Sequence, residues 1–241
     1  MRRLPWLVCL AFAGCQSFGP VELAALPSAG AGLAWLLPKS LRLPALVEDP
    51  LLPQASQALE RGDHAQACEL LGVYANHHPE SKHARAFYAE VLAKLGKSAE
   101  ASFEFEKAIA RLQEDKTIDL ALLVHCHGRL LDLADADADE FHVHLYRGLG
   151  LYWLAQQKRR PDEPDDATPN EAILCKAAME LTVAHSLMPS EARPMWYLYL
   201  TWRQLGQTAP AMRWLNDCQS ASPFSYLTHC ERGELQLRVS R

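Results

Sequence analysis

The chain has 241 residues, enough for one or two domains, with 49% hydrophobic and 22% charged residues, an ordinary globular balance. A formal net charge of −5 excludes a general nucleic-acid binder, which needs a basic surplus to neutralise phosphates.

The chain opens MRRLPWLVCLAFAGCQSFGP: two arginines, an apolar run from Leu4 to Ala13, then Gly14 and Cys15. A basic start, a short apolar core and small residues before a cut describe an export signal. The run is too short to anchor in a bilayer as a span. The cysteine after Ala-Gly resembles the lipobox of bacterial lipoproteins, over the first fifteen residues and with Phe12 where that family prefers Leu. The resemblance implies a signal peptide over 1–14, cleavage before Cys15 and lipid on Cys15. It implies a body exported to the bacterial cell envelope and lipid-anchored to a membrane, facing the periplasm or at the outer membrane. Gln16, where an Asp would retain the protein inside, favours the outer membrane in a cell that has two. Several acyl chains hold a protein durably where one holds it marginally. Residues 15–50 carry Pro20, Pro27, Pro38, Pro44 and Pro50, a density that interrupts helices and reads as a tether, with one short helix near 31–37.

From Leu51 the pattern is helical and it repeats. Gly62 and Gly96 lie 34 residues apart, as do Ala67 and Ala101, and Leu71 and Phe105. Ala177 and Ala211, Leu181 and Leu215, Ala184 and Cys218, and Pro189 and Pro223 keep the same step. Over about 51–225 this period resembles the tetratricopeptide repeat (TPR) family. The resemblance implies an all-α solenoid of helical hairpins. The glycine sits at the turn inside each hairpin, the alanine where its two helices touch, and the proline where the next repeat begins.

Four repeats follow, over about 51–81, 82–115, 143–190 and 192–225, with a cap helix over 224–238 completing a body of 51–238. The third is split by KRRPDEPDDATP, a 158–169 surface loop. An extra helix over 116–134 separates repeats two and three. One added helix reverses the alternation of a hairpin stack, which predicts two halves meeting at a seam.

Several constellations invite a chemical reading. ADADADE over 134–140 begins like a calcium loop, with Asp135, Asp137 and Asp139 alternating. It fails at the glycine position, held by Glu140, and at the bidentate position, held by Tyr146, and so reads as an acidic turn between helices. His125, His127, His142 and His144 with Cys126 flank that turn. Residues two apart on a helix point about 200° apart, so neither His-x-His pair chelates alone, and a metal or enzymatic corner over 125–144 stands as the alternative reading. Five cysteines would remain after maturation, an odd number that fits no complete disulfide framework and reads as small buried side chains. Cys218 and Cys230 fall on adjacent helices and could pair in an oxidising compartment. No cofactor motif, metal-ligand set or catalytic signature is present.

The resemblance places function on the groove lined by the first helix of each repeat. The fourth repeat contributes Arg193, Trp196, Leu200, Arg203 and Gln204; the third His144, Arg147 and Leu151; the second His83, Glu90 and Lys94. A tryptophan between arginines has the composition of a binding hot spot. The expected role is a non-catalytic protein–protein interaction scaffold or adaptor at the envelope. Its partner would be a protein or peptide, with no nucleic acid and no small-molecule substrate.

Overall fold

The computed structural model describes residues 50–114, 118–157 and 169–222. Cys15 and the signal segment, the tether before Pro50, the loop over 158–168, the cap helix expected over 224–238 and Cys230 lie outside the described residues. Among the described residues are nine helices and no strand. They are α1 (Leu51–Glu60), α2 (His64–His77), α3 (Lys82–Lys94), α4 (Ser98–Glu114), α5 (Leu120–Ala136), α6 (Glu140–Ala155), α7 (Glu171–Leu187), α8 (Ala192–Gln204) and α9 (Thr208–Ala221).

Four of the turns share one backbone geometry. The N–H of Asp63 donates to the Ala58 carbonyl at 2.8 Å, Lys97 to Leu92 at 3.0 Å, Asp139 to Ala134 at 3.0 Å and Gln207 to Trp202 at 2.9 Å. This six-to-one bond closes a helix when the residue before the donor turns left-handed. Gly62, Gly96 and Gly206 do so at φ of 77°, 74° and 71°, and Ala138 does so at 54°. At two of these turns the new helix starts on a side-chain cap: Asp63 accepts from the Gln66 N–H and Asp139 from the His142 N–H. A second turn type links the hairpins. His78 and Met188 each precede a proline and leave the helical region, at φ −121° and −135°, as the clash with the proline ring favours.

The repeated positions form the core. Ala67, Ala101, Ala177 and Ala211 are fully buried, as are Leu71, Phe105, Leu181 and Leu215 one helical turn on. Residues four apart share a helix face, so each second helix lays an alanine and a large side chain against its partner. Arg85 of α3 crosses the second hairpin to Glu104 of α4 at 2.6 Å and to the Ala75 carbonyl at 3.3 Å.

The helix expected to stand alone between repeats does not. α5 is the first helix of a hairpin whose second helix is α6, closed by the Ala138 turn that matches the three glycine turns. α6 then packs along α7 as the first helix of the next hairpin. One helix therefore serves two hairpins. Its two glycines divide the work: a Cβ on Gly148 would lie 2.7 Å from Leu181 Cγ of α7, and one on Gly150 would lie 3.5 Å from His127 Cβ of α5. The repeat spacing makes Gly150 the small contact inside the third repeat; in the structure Gly148 holds that place, two residues earlier.

The shared helix reverses the alternation of first and second helices. α4, a second helix, reaches α8, a first helix: Gln113 Nε2 donates to Tyr197 Oη at 2.9 Å, and Arg193 donates to Glu106 at 3.1 Å. The row of second helices in α1–α4 thus runs into the row of first helices α6 and α8. The first-helix faces of the two halves lie on different sides of the stack.

Two substitutions separate the roles of the glycines. Gly148→Ala must displace Leu181 and is expected to lower stability by about 1–3 kcal/mol. Gly150→Ala meets ordinary contact distance and gains helix propensity, so its stability should hold or rise by up to about 1 kcal/mol. Urea unfolding of both variants measures the difference. Ala138→Gly, which relieves a left-handed alanine, should add about 1 kcal/mol in the same assay.

Candidate functional site

The expected groove residues of α8 lie on one flank, which is half core and half surface. Trp196 and Leu200 pack against the buried cluster of Tyr199, Ala211 and Leu215. The Trp196 and Tyr199 ring centroids are 5.3 Å apart. Arg203 Nη1 donates to Tyr199 Oη at 2.8 Å, with its guanidinium carbon 5.7 Å from that ring. Tyr199 is wholly buried, so Arg203 carries its hydroxyl's hydrogen bond out to the surface. Gln204, exposed at the end of α8, exchanges amide hydrogen bonds with Gln156, which donates to it at 2.7 Å, and donates to Tyr152 Oη at 3.2 Å. Leu200 also touches the Tyr152 cluster, so the flank of α8 continues onto α6.

Arg193 stands apart from this patch. Its guanidinium binds Glu106 at 3.1 Å and Glu191 at 3.3 Å, and Tyr146 Oη donates to the same Glu106 oxygen at 2.9 Å. It is a staple between α4, α6 and α8. Burial alone would lower its pKa, but the Glu106 contacts outweigh that and hold it above the usual arginine value.

His144 and Arg147, assigned to the groove on the count from Gly150, lie instead inside their own hairpin. His144 Nδ1 is 2.7 Å and Arg147 Nη1 3.4 Å from Glu180 Oε2 of α7. This is the place of the Arg85–Glu104 pair: His144 precedes Gly148 by four residues, as Arg85 precedes Ala89, and Glu180 directly precedes Leu181, as Glu104 does Phe105. Counting from Gly148 brings Tyr152 and Gln156 to the end of α6 that meets α8, and these are the residues the repeat spacing conceals. Tyr152 also meets Tyr197 of α8 edge-on at 5.2 Å between centroids. Burial pushes the Tyr152 and Tyr197 phenols up, so both remain neutral hydroxyls. Leu151 packs at the same cluster.

In the first half, Glu90 of α3 faces α5, with His125 Nε2 at 2.9 Å and Arg129 Nε at 3.0 Å. Burial raises the Glu90 pKa; the His125 and Arg129 contacts outweigh it and leave the carboxyl below its usual value. His83 lies 3.3 Å from Asp119, the cap of α5, and Lys94 is exposed at the end of α3. These residues share neither a helix nor a hydrogen bond with the α6–α8 patch.

The histidine corner does not assemble. His125 turns to Glu90, His142 to Asp139 at 2.7 Å and His144 to Glu180, while His127 is buried with neither ring nitrogen bonded. Among the described residues no group of three or more His, Cys, Asp or Glu side chains could hold a metal ion. Asp139 of the acidic turn is an N-cap. Cys68, Cys126 and Cys218 are free thiols, and Cys218 is buried with its Sγ 3.7 Å from the Ala192 carbonyl. Among the described residues no helix is long and apolar enough to cross a membrane.

The fold is a tetratricopeptide-like solenoid of helical hairpins. No protein-family model matches the chain, and no curated protein does. Solved structures similar to it include a thermophilic TPR protein of Thermus thermophilus, at 16% identity and a TM-score of 0.38 over 79% of this chain and 100% of that one. YrrB, a TPR protein with an unusual peptide-binding site, aligns at 15% identity and 0.33 over 76% and 91% of the two chains. A tetratricopeptide repeat protein of Parabacteroides merdae aligns at 14% and 0.36 over 79% and 73%. Similarity at that level adds nothing to what the hairpins themselves show.

Replacing Glu90 tests the ionic contact of the first half. Glu90→Gln is expected to cost about 1–3 kcal/mol at pH 7, since the carboxylate's contacts with Arg129 and His125 are lost. A carboxyl lowered in the folded state stabilises above its unfolded pKa of about 4.3 and stops doing so as pH falls through the folded value. The gap between variant and wild type should therefore close below about pH 4 in urea titrations.

Proposed function

We propose that the protein is a non-catalytic interaction scaffold that binds a protein or peptide through the α6–α8 patch. The observation that carries this reading is the composition of that patch. Trp196 and Leu200 are partly exposed on a rigid buried base, and the Gln156–Gln204 amide pair and Arg203 line the rest. An aromatic anchor on a fixed platform loses little entropy on binding. Paired glutamine amides offer both donors and acceptors, which suits the backbone of a bound chain. Arg193, His144, Arg147 and Glu90 have structural partners instead. The sequence of the first fifteen residues supports a scaffold tethered at the bacterial envelope through lipid on Cys15.

Affinity capture from solubilised membranes tests the patch, with the full chain compared against a Trp196→Ala, Gln204→Ala variant. A protein retained by the wild type and lost at least tenfold from the variant, at matched thermal stability, is the expected result. Equal retention by both removes the patch from binding. Cys15→Ser should move the protein from the membrane to the soluble fraction; unchanged fractionation ends the lipid-anchor reading.

A further inference from the structure

His127 sits on the contact between the two halves. It projects from α5, is only 2% exposed, and packs where Gly150 of α6 leaves room, with a Cβ there 3.5 Å away. Neither of its ring nitrogens has a hydrogen-bond partner. An imidazole with no acceptor has nothing to balance a charge, and an unpaired buried charge is among the costliest things a core can hold. The charged groups around it do not help. Glu90 of α3 is turned to His125 and Arg129, and Glu106 of α4 is turned to Arg193 and Tyr146. Arg193 of α8 is the charge that acts on it, and it repels a proton.

We propose that His127 is an acid-responsive latch: neutral, it lets α5 and α6 close on each other, and protonated, it parts them and separates the α1–α5 half from the α6–α9 half. Burial first, and Arg193 second, hold its pKa down to about 3 in the closed form, against about 6.5 for a free imidazole. A histidine depressed on closing stabilises the closed form fully above the free value and loses that contribution as pH falls below it. On those two values the open form gains about 25-fold between pH 7 and pH 5. The other buried polar side chains have partners: Arg85 of α3 meets Glu104 and the Ala75 carbonyl, and Thr201 of α8 donates to the Tyr197 carbonyl. His185 of α7 is also lowered by burial, but it meets Trp214 of α9 within the second half.

Cys126, adjacent to His127 and wholly buried, supplies the readout. The purified full chain is treated with dithiodipyridine, which reacts at acid pH, and each cysteine is followed by peptide mass spectrometry. Rates are divided by those of the denatured chain at the same pH. The latch predicts that Cys126 labelling rises about 25-fold from pH 7 to pH 5 while Cys68 of α2 and Cys218 of α9 stay flat. In His127→Gln and in His127→Leu the rise should vanish; two variants guard against one failing to fold. A rise that persists in either folded variant overturns the proposal. So does labelling of Cys68 and Cys218 in step with Cys126, which reports global unfolding, and so does a wild-type rate that does not change with pH.

Discussion

Everything distinctive about this molecule depends on α6 being packed closely from two sides. An α-helix advances about 100° per residue, so residues two apart point about 200° apart. Gly148 and Gly150 therefore remove side chains from nearly opposite faces of one helix. On one face the backbone nitrogen of Leu181 would lie 3.2 Å from a Cβ on Gly148; on the other, His127 comes within ordinary contact of Gly150. A hairpin stack normally alternates first and second helices. A helix narrow on both sides can be the second helix of one hairpin and the first of the next, and the alternation then resets.

That reset explains where the polar groups go. At the join, side chains from α4, α6 and α8 converge, and among them is Arg193, an arginine the sequence pattern would send to an open groove. Its charge is met by Glu106 and Glu191, and Glu106 also accepts from Tyr146. Gln113 and Tyr197 close the same junction further along. These polar groups stay partly open to solvent and also meet one another. His127, on the α5 side of α6, does neither, and that contrast makes it the weak point of the join.

The sequence was legible where the physics is local. A left-handed turn selects glycine, so Gly62, Gly96 and Gly206 mark three hairpins directly; Pro79 and Pro189 mark the joins between hairpins through the residues they push out of the helix. The 34-residue spacing of buried alanines and large apolar residues set the fold. The fourth hairpin turn was hidden because Ala138 adopts φ 54° with no glycine to announce it. α5 consequently read as an extra helix with no partner. The register of the third repeat was ambiguous for a different reason. Two glycines two apart both satisfy a demand for a small residue, and only the neighbour each one meets tells them apart. That slip of two sent His144 and Arg147 to the groove and concealed Tyr152 and Gln156.

The same reversal limits how a bound chain can lie. In an uninterrupted stack, a segment resting on one first helix continues onto the first helices before it. Here a segment resting on α8 and the end of α6 runs toward α4, where Gln113 and Glu106 already bond to α8. It does not reach α3 and α5, whose facing side chains are committed to one another through Glu90, His125 and Arg129. The proposed patch is therefore short, bounded by the α4 contacts at one end and by the Gln156–Gln204 pair toward the other. A partner bound at the proposed patch would draw its affinity from a few anchors such as Trp196 and Leu200 rather than from length.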